Sequence, residues 1–257
     1  MSFIPQVTYD IASLDLEAEL FYTFSSKHRE RWGSVLDRAY PELLPMVEKA
    51  RDKREAENLC REFAGTLHAH NKDAIESGRI ELQAAWDMVG PDFLKTLAEH
   101  FETEWPTDHP VVLGHVSVQP VYPRFLDSFS FCVGYRDLQN MVENSAHEIL
   151  HFLWFKKWSE VFPEMSSKTY NSPHLVWRLS EIIDPIILQC HPKISKLIQP
   201  QKWGYRSFGS ITIGDVSMTD YFKEIYEDSV RSGASFAETM RLLWSVIQQH
   251  ETEVSVF

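Results

Sequence analysis

Apolar residues recur at helical spacing through most of the first hundred positions, and the pattern turns strand-like only after Trp105-Pro106. Leu14, Leu16, Leu20, Phe21 and Phe24 share one face of a helix that Ser13 can cap, with its end expected near Trp32-Gly33. A longer helical region is expected over residues 42–77, stopped by Gly78. Its charge-dense centre, residues 48–55, mixes signs in the manner of a solvated face. Ile80, Leu82, Ala85, Trp86 and Met88 predict a further helix as far as Gly90, and Pro91 opens another through Phe93, Leu94, Leu97 and Phe101. His68 and His70 stand two apart on this helical pattern, so they face different ways and read as surface residues rather than ligands.

From Val111 the side chains become β-branched with little charge, and Phe129, Phe131 and Val133 alternate with small residues. Two or three strands are expected between Val111 and Gly134, with Pro120 and Pro123 separating the first from the second. A strongly apolar helix over about 137–158 follows. Ser172 and Pro173 then open another, bearing Leu175, Leu179, Ile182 and Ile183 on its apolar face, which Pro185 ends or kinks. Two last helices are expected near 219–232 and 235–249, separated by Gly233. The fold class expected is α+β, mostly α-helical, with a small β-sheet directly before the long apolar helix. An N-terminal helical region (1–105) and a second region (106–257) are expected to form one compact domain together.

Composition narrows the partners. The chain has 257 residues, 44% hydrophobic and 24% charged, which suits a soluble globular protein. A formal charge of −12 offers nothing to offset phosphate repulsion, so nucleic acid is not an expected partner. Cys60, Cys132 and Cys190 are odd in number and form no CxxC pair, and read as reduced thiols of a cytoplasmic protein. The first residues lack a basic segment followed by an apolar core, and the longest apolar run, 149–155, is too short to span a bilayer. Neither a secretory signal nor a membrane role is expected. There are no internal repeats and no Gly-rich phosphate loop.

The chemistry concentrates in Ser145-Ala146-His147-Glu148-Ile149-Leu150-His151-Phe152. Residues i and i+4 share a helix face, so both imidazoles can reach one cation, while Glu148 projects from nearly the same side and can hold a water. This is the H-E-x-x-H arrangement of a zinc peptidase, with His147 and His151 as neutral ligands and Glu148 as general base. The bland alternative is an amphipathic core helix carrying two satisfied histidines.

Helix, short strands and His147-Glu148-x-x-His151 together resemble the zincin metallopeptidases, over roughly residues 111–188. The resemblance implies that the last strand before the metal helix, residues 128–134, edges the cleft and pairs with extended peptide. The metzincin branch needs a glycine and a third histidine where this chain has Trp154 and Lys157, and is excluded. The glutamate branch takes its third ligand from a downstream helix, and the chain is similar to compact gluzincins. Glu181 then becomes the third metal ligand; it lies in an apolar run where a carboxylate needs a partner. Asp184, one turn on, can accept the other ring N–H of a ligating histidine. His174 stays open as a rival ligand, and an Arg178-paired carboxylate as the plain reading of Glu181.

The function this implies is a zinc-dependent metallopeptidase acting on peptide or protein substrate, with Glu148 as base. The alternative is a catalytically silent zincin fold serving as a metal-stabilised interaction module. A peptidase also needs a donor for the oxyanion; Tyr221 is the first candidate, with Tyr205 and Tyr226 behind it. The turn-rich stretch 203–210 can rim a cleft.

Overall fold

Strand formation begins earlier than the helical pattern suggests. In the computed structural model, which describes residues 3–201 and 206–254, the first element is β1 (Gln6–Ile11). Val7 and Tyr9 are buried while Gln6 and Asp10 are exposed, a period of two that the helical reading of the N-terminus passes over.

Ser13 caps α1 (Leu14–Ser25) by accepting from the Leu16 amide at 3.2 Å. The helix ends at Ser25 rather than near Trp32-Gly33, which lies inside α2 (Arg29–Ala39). A short α3 (Leu43–Glu48) precedes α4 (Lys53–Phe101), so the expected 42–77 helix is divided at its charged centre. Arg51–Glu55 and Lys53–Glu57 pair along that exposed entry, as the mixed signs suggest.

The largest correction is α4 itself. It runs 49 residues without stopping at Gly78 or restarting at Pro91, which sits inside it. Helix-breaking propensity is a local cost of ~1 kcal/mol for Gly and ~3 kcal/mol for Pro. Burial of Leu82, Trp86, Phe93, Leu94, Leu97 and Phe101 along this one helix outweighs it, at about 1.5–3 kcal/mol for a fully buried large apolar side chain.

Gly78 has a packing reason instead. A Cβ built there would lie 2.5 Å from the Tyr135 carbonyl oxygen. Gly78→Ala should therefore destabilise by roughly 1–2 kcal/mol despite alanine's better helix propensity, because overpacking against backbone has no rotamer escape. The urea midpoint measures this; a midpoint at or above wild type would show that the Tyr135 segment yields freely.

Strands β2 (Val111–Val116), β3 (Arg124–Phe125) and β4 (Ser130–Val133) match the two or three expected, and β1 joins them in the order β1-β2-β4-β3. β1 and β2 run parallel with Gln6 opposite Val111, β2 and β4 parallel with Leu113 opposite Ser130, and β3 lies antiparallel to β4. β4 thus has a partner on each side. It is not the open edge that residues 128–134 were expected to offer; the edges are β1 and the two-residue β3.

Beyond α5 (Leu138–Val161) and a 3-10 turn at Ser167–Tyr170 comes α6 (Leu175–Cys190). Its N-cap is His174, not Ser172, and Pro185 lies inside the helix rather than ending it. Then follow α7 (Pro192–Ile198), α8 (Arg206–Ser210), and a hairpin of β5 (Thr212–Ile213) with β6 (Val216–Ser217). α9 (Met218–Arg231) and α10 (Phe236–Gln249) lie close to the expected bounds, the latter started by a capping box between Ser235 and Glu238. Gly233 between them has φ +78°. A short α11 (Glu251–Val254) follows.

The chain is mostly α-helical with a small sheet, and it divides into two compact units. One comprises Gln6–Met88 and Val111–Ser145; the other comprises Met1–Pro5, Val89–Pro110 and Ala146–Phe257. Each unit draws from both sides of position 105.

In the first unit, Glu17 is fully buried and its carboxylate accepts from Ser117 Oγ at 3.1 Å and the Val118 amide at 2.9 Å. His68 Nε2 lies 3.2 Å from the same carboxylate, so His68 is a partly buried partner of Glu17 rather than a surface residue, while His70 is exposed. In the second unit, Trp154 meets Phe101 and Phe236 edge to face, and half-buried His100 packs on Phe101 and Phe236 with its Nε2 at 2.8 Å from Tyr226 Oη. Burial and the neighbouring His191 push the His100 pKa down to about 3. Among the described residues, no helix is long and apolar enough to cross a membrane.

Candidate metal centre

α5 is buried almost all round through its middle, before the charged residues Lys156, Lys157 and Glu160 of its last turns. Ala146, Ile149, Leu150, Phe152, Leu153, Trp154 and Trp158 are buried on every side of it, which is what an interior helix requires. His147, Glu148 and His151 project from that helix; His151 is fully buried, Glu148 nearly so, and His147 keeps 20% of its side chain exposed. α6 is buried at each position from Val176 to Leu188 and carries Glu181 and Asp184.

The two helices bring His147, His151 and Glu181 into one group able to hold a metal ion. The Nε2 atoms of His147 and His151 are 3.2 Å apart, with ring planes crossing at 83°. Glu181 presents one oxygen to each, Oε2 3.3 Å from His147 Nε2 and Oε1 3.5 Å from His151 Nε2. A tetrahedron with donors ~2.0–2.1 Å from a central ion has edges of ~3.3–3.4 Å. The separation of the two imidazole nitrogens is near that figure, and Glu181 turns a different oxygen toward each ring, so one ligand atom from each residue lies within 4.8 Å of the others. Adjacent donors of an octahedral ion at the same bond length stand closer, at ~2.8–3.0 Å. A calcium-type site is ruled out by the donor chemistry, since that ion takes six or more oxygens.

His151 Nδ1 lies 2.6 Å from Asp184 Oδ2. A carboxylate this close favours the tautomer that keeps its proton on Nδ1, which leaves Nε2 as a lone pair aimed at the group's centre. Phe155 stacks on the His151 ring at 5.8 Å and 12°, and Tyr170 stacks on Phe155 at 4.5 Å and 21°. The ring is therefore held both by its second nitrogen and by its face.

Two imidazole lone pairs and a carboxylate converging on one point repel unless a positive charge sits among them. In the metal-free protein a proton takes that place. Burial disfavours the charge on His147, but the Glu181 hydrogen bond and the negative charges of Glu148, Glu181 and Asp184 outweigh it and raise the pKa to about 9. This proton stabilises the metal-free fold fully below the ordinary value of 6.5, and its contribution is lost as pH climbs through about 9. A cation must displace it, so metal affinity should rise by about tenfold per pH unit between pH 7 and 9 and flatten above. Competition titrations at successive pH values check the slope; an affinity flat from pH 7 to 8 would mean that no proton leaves His147.

Other expectations land elsewhere. His174 is exposed at the head of α6, and Glu181 rather than His174 completes the donor group. Arg178 is engaged by carbonyl oxygens, Nε donating to Pro173 at 3.0 Å and Nη1 to Val254 at 2.7 Å. Tyr226 is buried with its hydroxyl on His100, and Tyr221 has its partly exposed ring against Phe222 and His250. Neither contact involves the metal-centre side chains. Tyr205, and with it the start of the 203–210 stretch, lies outside the described residues. A cavity of about 400 Å³ lies in the other unit, lined by Asp15, Tyr22, Lys27, Asn58 and Arg61, and none of the metal-centre residues lines it. The roles of Phe155 and Tyr170 are absent from the sequence reading; aromatic spacing four residues after His151 was the available signal for the first. Scans of family models and searches of curated proteins and of solved structures return no match.

Proposed function

We propose that the chain is a zinc-dependent metallopeptidase of zincin type, with His147, His151 and Glu181 as ligands. The observation that carries this reading is the convergence of two imidazoles and one carboxylate within 4.8 Å, with a second carboxylate, Glu148, beside them that is not one of the three. Zinc held there supplies Lewis acidity and lowers the pKa of a water toward ~7. Glu148 accepts the proton as water attacks a peptide carbonyl and delivers it to the leaving nitrogen. Asp184 holds His151 in the tautomer that keeps Nε2 as a donor. Tyr226 has its hydroxyl on His100, which leaves Tyr221, partly exposed, and Tyr205 as the proposed oxyanion donors.

The test is metal content and peptide turnover on protein purified without a polyhistidine tag. One zinc per chain, turnover lost on chelation and restored by zinc, supports the peptidase. One zinc with no turnover on a broad peptide mixture leaves the silent, metal-stabilised interaction module. No zinc at all overturns both.

A further inference from the structure

α6 carries one permanently charged side chain in its buried stretch. Arg178 is 5% exposed, within a run in which each residue from Val176 to Leu188 is buried. A buried guanidinium is costly unless its donors are met, and the planar fork meets acceptors at fixed angles. Here those acceptors include two backbone carbonyls from distant points of the chain. Nε donates to Pro173 O at 3.0 Å, just ahead of α6, and Nη1 donates to Val254 O at 2.7 Å, at the end of α11. Val254 is itself fully buried, and α11 packs against α6 and α10.

One side chain thus ties the entry of α6 and the C-terminal helix to the turn that precedes Glu181. The two bonds resist both rotation of α6 about its axis and sliding along it. Glu181 lies three residues after Arg178 and Asp184 six, so any such movement displaces the third donor and the partner of His151 together. A site of this kind works only within about 0.5 Å of its required geometry.

We propose that Arg178 is a positioning residue of the metal centre: by docking α11 onto α6 it holds Glu181 in register, so the seating of residues 251–254 sets the affinity for the metal. This rests on the metal-centre reading and adds a means of regulating it, since anything that lifts α11 weakens the site.

The test uses the full chain as wild type, Arg178→Met, Arg178→Lys, Val254→Ser and the double variant Arg178→Met/Val254→Ser. Zinc affinity is read by competition with a chromophoric chelator, and ligand geometry by the visible spectrum of cobalt-loaded protein. Arg178→Met should weaken zinc by about 10–100-fold, the range for losing a group that orients a ligand. Its cobalt bands should shift, which a general loss of stability would not cause at saturating metal. Arg178→Lys should recover part of the affinity. Val254→Ser keeps the backbone carbonyl but loosens the buried seat of α11, so it should move in the same direction, and the double variant should fall no further than Arg178→Met, because both act through the docking of α11. Unchanged zinc affinity and cobalt spectrum in Arg178→Met overturn the proposal, as does full additivity in the double variant. Should Arg178→Met not fold, wild-type affinity in both Arg178→Lys and Val254→Ser overturns it equally. A wild-type chain that binds neither metal sinks the metal-centre reading itself, an outcome distinct from all of these.

Discussion

Glu148→Gln should retain its metal and lose nearly all peptide hydrolysis, a fall of at least the ~10²–10⁴-fold that positioned acid–base catalysis contributes. The donor group is closed by His147, His151 and Glu181, so the amide at position 148 removes no ligand. It does remove the proton acceptor. It also removes one of the negative charges that raise the His147 pKa, so that pKa should fall in the metal-free variant. Less proton competition then means zinc affinity equal to or slightly above wild type at neutral pH. A variant that cleaves at the wild-type rate ends the peptidase reading. Parallel loss of zinc and activity would make Glu148 a residue that supports the fold.

The ligand variants should differ in order as well as size. His147→Ala and His151→Ala should each abolish stoichiometric zinc, and Glu181→Ala should lower affinity by more than the ~10–100-fold typical of an orienting partner. Asp184→Asn should fall inside that range. It leaves the ligands in place but trades a carboxylate acceptor for an amide at His151 Nδ1, 2.6 Å away. His174→Ala should change nothing, since His174 is exposed at the head of α6. One titration series in one buffer orders the five. If His174→Ala proved the most damaging, the third ligand would be a histidine and the glutamate assignment would fall.

The H-E-x-x-H helix, the Glu181 and Asp184 pairing and the strands after Val111 were legible because each is written locally. Helix periodicity alone puts His147 and His151 on one face, and a carboxylate in an apolar helix announces a partner. The partner of each histidine was a matter of inference until two helices met. Helical spacing leaves Asp184 free to face either histidine, and in the structure it faces His151.

What the chain could not disclose locally is what long-range packing decides. Gly78 and Pro91 read as breaks, yet α4 passes through both, because buried aromatics along its length outweigh a local propensity cost. β1 carries a period of two, but six residues hold as a strand only by pairing, and the partner β2 begins far along the chain at Val111. Residues 128–134 carry no sign of their place in the sheet, and only pairing on both sides shows that β4 is interior, with β1 and β3 at the edges. Nothing near Arg178 in sequence points to its carbonyl acceptors, which include Pro173 and the distant Val254. The sequence by itself determined which residues can do chemistry, because side-chain type and helical spacing are local properties. The tertiary structure decided which of them meet and what holds them there, since a donor atom's position depends on every contact that fixes its helix.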